Sequence, residues 1–431
     1  RTSWTPTRMY VPRAGFRVAR TEQVKRIKWQ LSIEDRVSGC PAIAEDGTII
    51  IASESGTIIA LNPNGTWRWT THIDELVGNL RFFGFGASPV IGEDNTLYIA
   101  SNSRYPDHYS KLYAFSIDGV KKWEYLVSNY GIGSTPAIGN DGVIYFGTVY
   151  QVYGYPATSL HALFPNGEKK WEKSFGSMSL EKFMDIGCVV IAKEGGISVG
   201  SYAVGHLDPI GVAFCTSRLH QLSADGSLLG INTGVDSPIV SLGDSGKIFT
   251  VNHDGFLMAL NQYGEEIWVS DTRVSRIESE FKLPFAVTSK DGTIYCGSED
   301  QSLIAFNPDG KKKWEYPLRG LAQTSPALGE DGTIFVTTDT EVYAIDTSGS
   351  LKWALTLVDD DENTEYHNIG HPAIGQDGNL YVIAEKMHYN SSTGYSTWSA
   401  ELYAIQTDCG GLMNSVWPKY RQNGQNTGLG K

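Results

Sequence analysis

The stretch Thr324-Ser-Pro-Ala-Leu-Gly-Glu-Asp-Gly-Thr-Ile-Phe-Val-Thr-Thr338, continued by Val342-Tyr-Ala-Ile-Asp346 and Leu351-Lys-Trp353, holds four short apolar runs separated by turn residues. Runs of this length, rich in β-branched and aromatic residues and bounded by Gly, Asp and Ser, read as four antiparallel strands, A to D, joined by tight reversals. Working outward, the block recurs eight times. Its first proline returns as Pro41, Pro89, Pro136, Pro238, Pro284, Pro326 and Pro372, with Cys188 in the fourth copy, a period of 42 to 52 residues. That period belongs to propeller blades. The expected fold is all-β: an eight-bladed β-propeller of four-stranded antiparallel blades.

Within the block each marker has a physical place. Asp331-Gly332 reads as a two-residue type I′ hairpin between strands A and B, repeated at Asp46-Gly47, Asp141-Gly142, Asp291-Gly292 and Asp377-Gly378. A proline at the start of strand A lacks an N–H to donate, which suits the innermost strand bordering the axis. Four residues after a turn glycine comes a tryptophan: Trp69, Trp123, Trp171, Trp268, Trp314 and Trp353, with Gly230 in its place in blade four. Such indoles are expected to fill the wedge that opens between neighbouring sheets far from the axis. The eighth copy has no such tryptophan, whereas Arg26-Ile-Lys-Trp-Gln-Leu-Ser-Ile33 is unmatched at the other end. The N-terminal strand is therefore expected to complete the last blade and close the ring, which removes an exposed sheet edge. This divides the chain into a tail over 1–25, the propeller over 26–412, and a C-terminal tail over 413–431 packed on the propeller.

Composition narrows the partners. A net charge of −13 argues against nucleic acid, which is bound through clustered Lys and Arg. No segment approaches the apolar length of a membrane span. Cys40, Cys188, Cys215, Cys296 and Cys409 form no Cys-x-x-Cys pair, so zinc, iron–sulfur and c-type haem sites have no support; buried thiols are the plain reading. Of disulfides, at most two could form, with pairings left open. A start at Arg1 without an apolar leader fits an exported protein after processing or a trimmed chain.

Pro284 to Trp314 combines Pro-Phe-Ala-Val, Asp-Gly-Thr-Ile-Tyr, Ala-Phe-Asn-Pro-Asp-Gly and Lys-Trp. This resembles the PQQ-like β-propeller repeat, and the resemblance covers nearly the whole chain. The segment Ala305 to Trp314 is similar to the tryptophan-docking motif of quinoprotein alcohol dehydrogenases, and Trp417 to Gly428 resembles a terminal segment of bacterial and archaeal members, most of them exported. A quinoprotein dehydrogenase would imply pyrroloquinoline quinone, calcium, a catalytic aspartate and a disulfide between adjacent cysteines. No two cysteines here are adjacent, so the fold is carried over and the quinone is not expected. A second branch of the resemblance is the outer-membrane assembly lipoprotein propeller, a non-catalytic scaffold for a partner protein.

Loop lengths break the symmetry of the ring. Extra residues fall in B–C connections (Ser101 to Lys111, Thr148 to Ser159, Ser201 to Arg218, Glu385 to Glu401) and D–A connections (Thr71 to Ala87, Glu172 to Gly187, Val269 to Leu283, Leu355 to His371), all on one face. Binding residues concentrate in such loops. The candidates are Arg81, Phe83, His108, Tyr109, Tyr155, His206, Asp208, Arg273, His367, His371 and Trp398, aromatics beside hydrogen-bonding groups that suit a protein or polysaccharide surface. His161 and His220 occupy a position held by Tyr113, Tyr343 and Tyr403 and read as structural. His206 with Asp208, and His367 with His371, could serve a metal or a lyase-type His–Tyr–Arg site, although no motif demands it. Asp359 and Asp361 offer oxygen ligands for calcium without the spacing of an EF-hand; a solvated acidic loop is the ordinary reading. The function expected is an exported, extracytoplasmic binding or assembly module without chemistry. The competing class is an enzyme, a quinone-dependent dehydrogenase or a polysaccharide lyase.

Overall fold

The computed structural model describes residues 26–37, 39–73, 88–101, 109–128, 130–132, 134–150, 157–175, 181–207, 212–235, 241–243, 246–275, 286–322, 324–357, 364–390, 395–414, 419 and 423. All its regular structure is antiparallel sheet, in eight blades over 42–72, 90–128, 130–174, 181–232, 241–273, 287–317, 327–356 and 364–406. Ile27–Ile33 is the outermost strand of blade eight, paired from Ile27 opposite Ile405 to Ile33 opposite Ala400. The ring closes as expected, between the two ends of the chain.

The A–B turns differ from the type I′ reading. Only the glycine of each pair has a positive φ, 82° at Gly47 and 87° at Gly332, and among the described residues only Asn95 and Gln301 do so without being glycine. Gly47 N–H donates to Ala44 O and Ala44 N–H to Thr48 O. The connection is a three-residue loop, a type I turn ending in a left-handed glycine. Aspartate stays in the right-handed region because its carboxylate then accepts from the backbone two residues on: Thr48 N to Asp46 at 2.9 Å, Thr293 N to Asp291 at 3.1 Å, Thr333 N to Asp331 at 2.9 Å.

The tryptophans bridge blades. Each indole lies against the C–D turn glycine of the next blade, so a Cβ built on Gly119 would stand 2.8 Å from Trp69, and one on Gly349 would stand 2.9 Å from Trp314. Four of the N–H groups donate to a carbonyl of the same turn, Trp69 to Ile117 at 2.8 Å, Trp123 to Pro165 at 2.9 Å, Trp171 to Ala224 at 3.2 Å and Trp314 to Thr347 at 2.9 Å, whereas the buried Trp268 Nε1 makes no such bond. Trp29 of the N-terminal strand does the same to blade one, donating to Pro63 O at 2.9 Å and lying over Gly65. Across the closure the turn glycine is missing, and the Arg26 guanidinium covers Trp353 at 4.8 Å instead. Most of these indoles are half-buried, with Trp353 deeper.

Blade four shows why Gly230 stands where others carry tryptophan. A Cβ there would lie 2.1 Å from Tyr263 O of blade five, so the backbones approach where the indole would sit. Asn232 supplies the missing bond, its amide donating to Gly264 O at 2.8 Å. Gly230→Ala is therefore expected to destabilise by about 2 kcal/mol, because backbone rather than a side chain must yield. Denaturant titration would show this as a lowered midpoint; an unchanged midpoint would mean the close approach is not real.

Proline also decides where strand A ends. Past Pro136 and Pro372 strand A is split, into Tyr130–Ile132 and Ala137–Ile138 in blade three and Thr364–Ile369 and Ala373–Ile374 in blade eight. In blade four Cys188 keeps its N–H, and strand A runs unbroken over Glu181–Ile191. Cys40, Cys188, Cys296 and Cys409 are buried.

Candidate functional site

Antiparallel strands that alternate A up, B down place the A–B and C–D turns on one end of the ring and the B–C and D–A connections on the other. Several of the latter, read from sequence as loops, are continued strands. In blade four Ile197–Leu207 and Val212–Leu222 form an eleven-residue hairpin with Glu181–Ile191 alongside. In blade eight Asn379–Asn390 and Tyr395–Gln406 form a longer one, flanked by Thr364–Ile369. Blade three carries a smaller version, with Tyr130–Ile132 paired to Thr148–Tyr150. In blades five to seven the corresponding B strands have four or five residues. Among the described residues the face therefore bears three β-arms, rising from blades three, four and eight. In each long arm strand C extends past the end of strand D, which pairs only with residues 219–222 in blade four and 400–405 in blade eight.

Of the candidates, Arg81, Phe83, His108, Tyr155, Asp208, Asp359 and Asp361 lie outside the described residues. Tyr109 is opposite Ser128 in blade two, His206 opposite Ala213 near the tip of the blade-four arm, and His367 opposite Lys386 in the blade-eight arm. Trp398 belongs to the same arm, opposite Met387, one register row from His367. Arg273 ends strand D of blade five, exposed, with its guanidinium 5.3 Å over Phe256.

His371 sits elsewhere, at the axis. Its Nδ1 accepts the Ser325 N–H at 2.9 Å, and its carbonyl is 3.6 Å from Cys40 Sγ. Cys40 N–H donates to Ser88 Oγ at 2.9 Å, and Ser88 N–H to Thr135 Oγ1 at 3.0 Å. All five residues precede the strand-A proline of their blade, so they form one belt of bonds joining blades seven, eight, one, two and three around the axis. The structure thus separates His371 from His367. Lys419, fully buried, reaches the same belt, its Nζ 3.7 Å from Cys40 Sγ and donating to Asn423 O at 3.1 Å. Burial raises the Cys40 thiol pKa, opposed by the Lys419 charge, so the thiol stays protonated.

The best-defined cluster on the arm face was not singled out from sequence. Arg36, in the link from the N-terminal strand to blade one, lies 4.2 Å over the Trp398 ring and pairs with Glu54 at 3.3 Å and buried Glu385 at 3.5 Å. Asp35 accepts Ser55 N–H at 3.0 Å beside it. One guanidinium shared by two carboxylates and an indole makes a clasp between blades eight and one, with Trp398 held in it. Among the described residues no group of three or more His, Cys, Asp or Glu is placed to hold a metal. The buried imidazoles are structural: His161 Nε2 meets Thr148 Oγ1 at 3.0 Å and His220 Nε2 meets Ser201 Oγ at 3.1 Å. Burial holds both pKa values down to about 4.

On the opposite end the turn carboxylates are committed. Asp291 is drawn toward ionisation by Ser289, both groups of Thr293 and Lys313, which outweigh burial and bring its pKa to about 2. Lys352 at 2.9 Å from Asp331 and Arg68 beside Asp46 repeat the arrangement.

Comparison with known proteins agrees with this architecture. Protein Rv3035 of Mycobacterium tuberculosis is 40% identical over 83 residues, 18% of this chain and 19% of that protein. An outer membrane protein assembly factor BamB from Nitrosomonas eutropha is 25% identical over 117 residues, 27% of each. The chain thus matches less than a third of either curated relative's length. The crystal structure of BamB from Moraxella catarrhalis superposes with a TM-score of 0.54 at 18% identity, covering 88% of this chain and 97% of that one. No helix of the described residues is long and apolar enough to cross a membrane. With the family signature matched over residues 16–205 and 216–412, on a ring whose blades repeat throughout, this chain belongs to the family of the outer membrane protein assembly factor BamB, the PQQ-like propellers.

Proposed function

We propose that the chain is an extracytoplasmic, non-catalytic assembly module that binds a protein partner through the face bearing the arms. The observation that carries this reading is the one-sided placement of the three arms, set against a far end closed by short turns with paired carboxylates. An arm whose strand C outruns strand D presents peptide groups at a strand edge, and these suit an added polypeptide strand better than a sugar. The family name, an assembly factor for outer membrane proteins, supports a protein partner and a location beyond the cytoplasm.

The test is to shorten the arms. Replacing residues 203–216 and 388–397 by tight turns, as blades five to seven have, leaves the pairings of strand D and the Arg36 clasp in place. Capture of envelope proteins from source cells should fall at least about tenfold while the melting temperature stays close to that of the full chain. Undiminished capture would contradict the reading, and binding to a glycan array lost with the arms would replace the protein partner by a polysaccharide.

A further inference from the structure

The residue preceding the docked tryptophan of strand D is cationic in six blades: Arg68, Lys122, Lys170, Lys313, Lys352 and Lys28. In five of them it pairs with the aspartate of its own A–B turn. Strand D is the outer edge of every blade, and lysines there discourage edge-to-edge association. Blades four and five break the pattern together. The cation is replaced by Leu229 and Ile267, and the turn aspartate by Glu194 and Ser245. The position after the tryptophan, glutamate in Glu124, Glu172 and Glu315, becomes Ile231 and Val269.

These side chains are open to solvent. Leu228 and Leu229 are each 46% exposed, Ile231 48%, Tyr263 50%, Ile267 46% and Val269 37%. They lie on adjacent blades whose backbones touch at Gly230 and Tyr263, so they form one apolar band on the outer wall of the ring. The remaining exposed large apolar groups among the described residues, Trp67, Val120, Leu126, Phe164 and Leu351, are spread over blades one, two, three and seven.

We infer that this band is a self-association surface, occupied by the same band of a second copy across a two-fold axis. Among the described residues no other part of the chain offers a matching apolar surface, and an isologous contact sets like against like. Six such side chains expose roughly 500 Å² per copy, so a pair covers about 1,000 Å², the lower bound for a specific contact. A chain of net charge −13 repels its own copy, and strand D of blade four, Leu228–Asn232, carries no charge. The resulting dimer is weak and is strengthened by salt, the reverse of a contact held by ion pairs.

Sedimentation velocity on the full chain from about 1 to about 100 µM, at low and high salt, spans the range in which a contact of this size dissociates. Two variants restore what the other blades carry and so suit the fold: Leu229→Lys with Ile267→Lys, and separately Ile231→Glu. The native chain should dimerise and each variant should weaken the dimer at least about tenfold, with circular dichroism melts reporting folding. A native chain that stays monomeric throughout would overturn the inference, as would a dimer that persists in both folded variants or one that dissolves as salt rises. Capture of a different protein by a monomeric chain through this band would likewise assign the surface to another partner.

Discussion

A chain beginning at Glu34 is expected to melt far below the full chain and to associate through its last blade. Removing residues 1–33 takes away Ile27–Ile33, which pairs with the whole of Ala400 to Ile405. Leu402, Tyr403 and Ile405 are fully or almost fully buried and would lose their cover, and Tyr403 and Ile405 belong to the cluster that also holds Trp353 and Leu380. Trp29 would vanish from Gly65, and Arg26 from Trp353, so both joints beside the closure fail together. Loss of one strand, the docked Trp29 and the Arg26 cover of Trp353 amounts to about 5 kcal/mol or more, a large part of a domain's net stability. The new outer edge, Tyr395–Gln406, is long and apolar on one face, so aggregation should follow unfolding. A truncated chain with the native melting temperature and a monomeric sedimentation profile would show that blade eight is complete without the N-terminal strand.

The second large effect is acid sensitivity centred on two imidazoles. His161, stacked on Phe146 at 5.1 Å, and His220, against Phe175 at 4.4 Å, have pKa values lowered by burial to about 4, while an unfolded histidine titrates near 6.5. Above pH 6.5 neither state binds the proton, and the neutral ring is stable in place. As pH falls from 6.5 toward 4 the unfolded chain takes up protons that the folded chain refuses, so stability drops by about 2–3 kcal/mol for each histidine. The turn carboxylates act in a lower window: Asp291, with its pKa held down to about 2, keeps its contribution until pH falls below about 4. Tyrosine stands at the corresponding position in Tyr113, Tyr343 and Tyr403. The double variant His161→Tyr, His220→Tyr should therefore flatten the denaturation midpoint between pH 6.5 and 4 and leave the fall below pH 4. A native chain with constant stability across that upper window would contradict the burial of both rings.

The ring itself was legible because its markers are backbone requirements. Pro41, Pro89, Pro136, Pro326 and Pro372 each stand directly before an inner strand, the turn glycines need positive φ, and most of the tryptophans lie on a glycine of the next blade; each marker recurs with its geometry. Gly47 was legible as a turn residue while the turn type was not, since Asp46 suits either loop and only its bond to Thr48 decides. The arms look like loops in the sequence because residues outside the repeat have no counterpart in neighbouring blades. Their strand character lay in the runs on either side of Asp208-Pro209, from Tyr202 to Leu207 and from Val212 to Thr216. His371 was grouped with His367 by proximity in the chain. Its place before Pro372, matching Cys40, Ser88, Thr135 and Ser325, is what assigns it to the axial belt. The Arg36 clasp joins positions 36, 54, 385 and 398, and only ring closure brings those together.

The most direct measurement of the functional account is site-specific photo-crosslinking in source cells. A photoreactive residue at exposed Ser396 or Thr397 in the blade-eight arm should capture a discrete protein partner, while one at exposed Glu45, in the A–B turn of blade one, should capture none. Capture from Glu45 together with silence at the arm would place the partner on the opposite end of the ring and contradict the account.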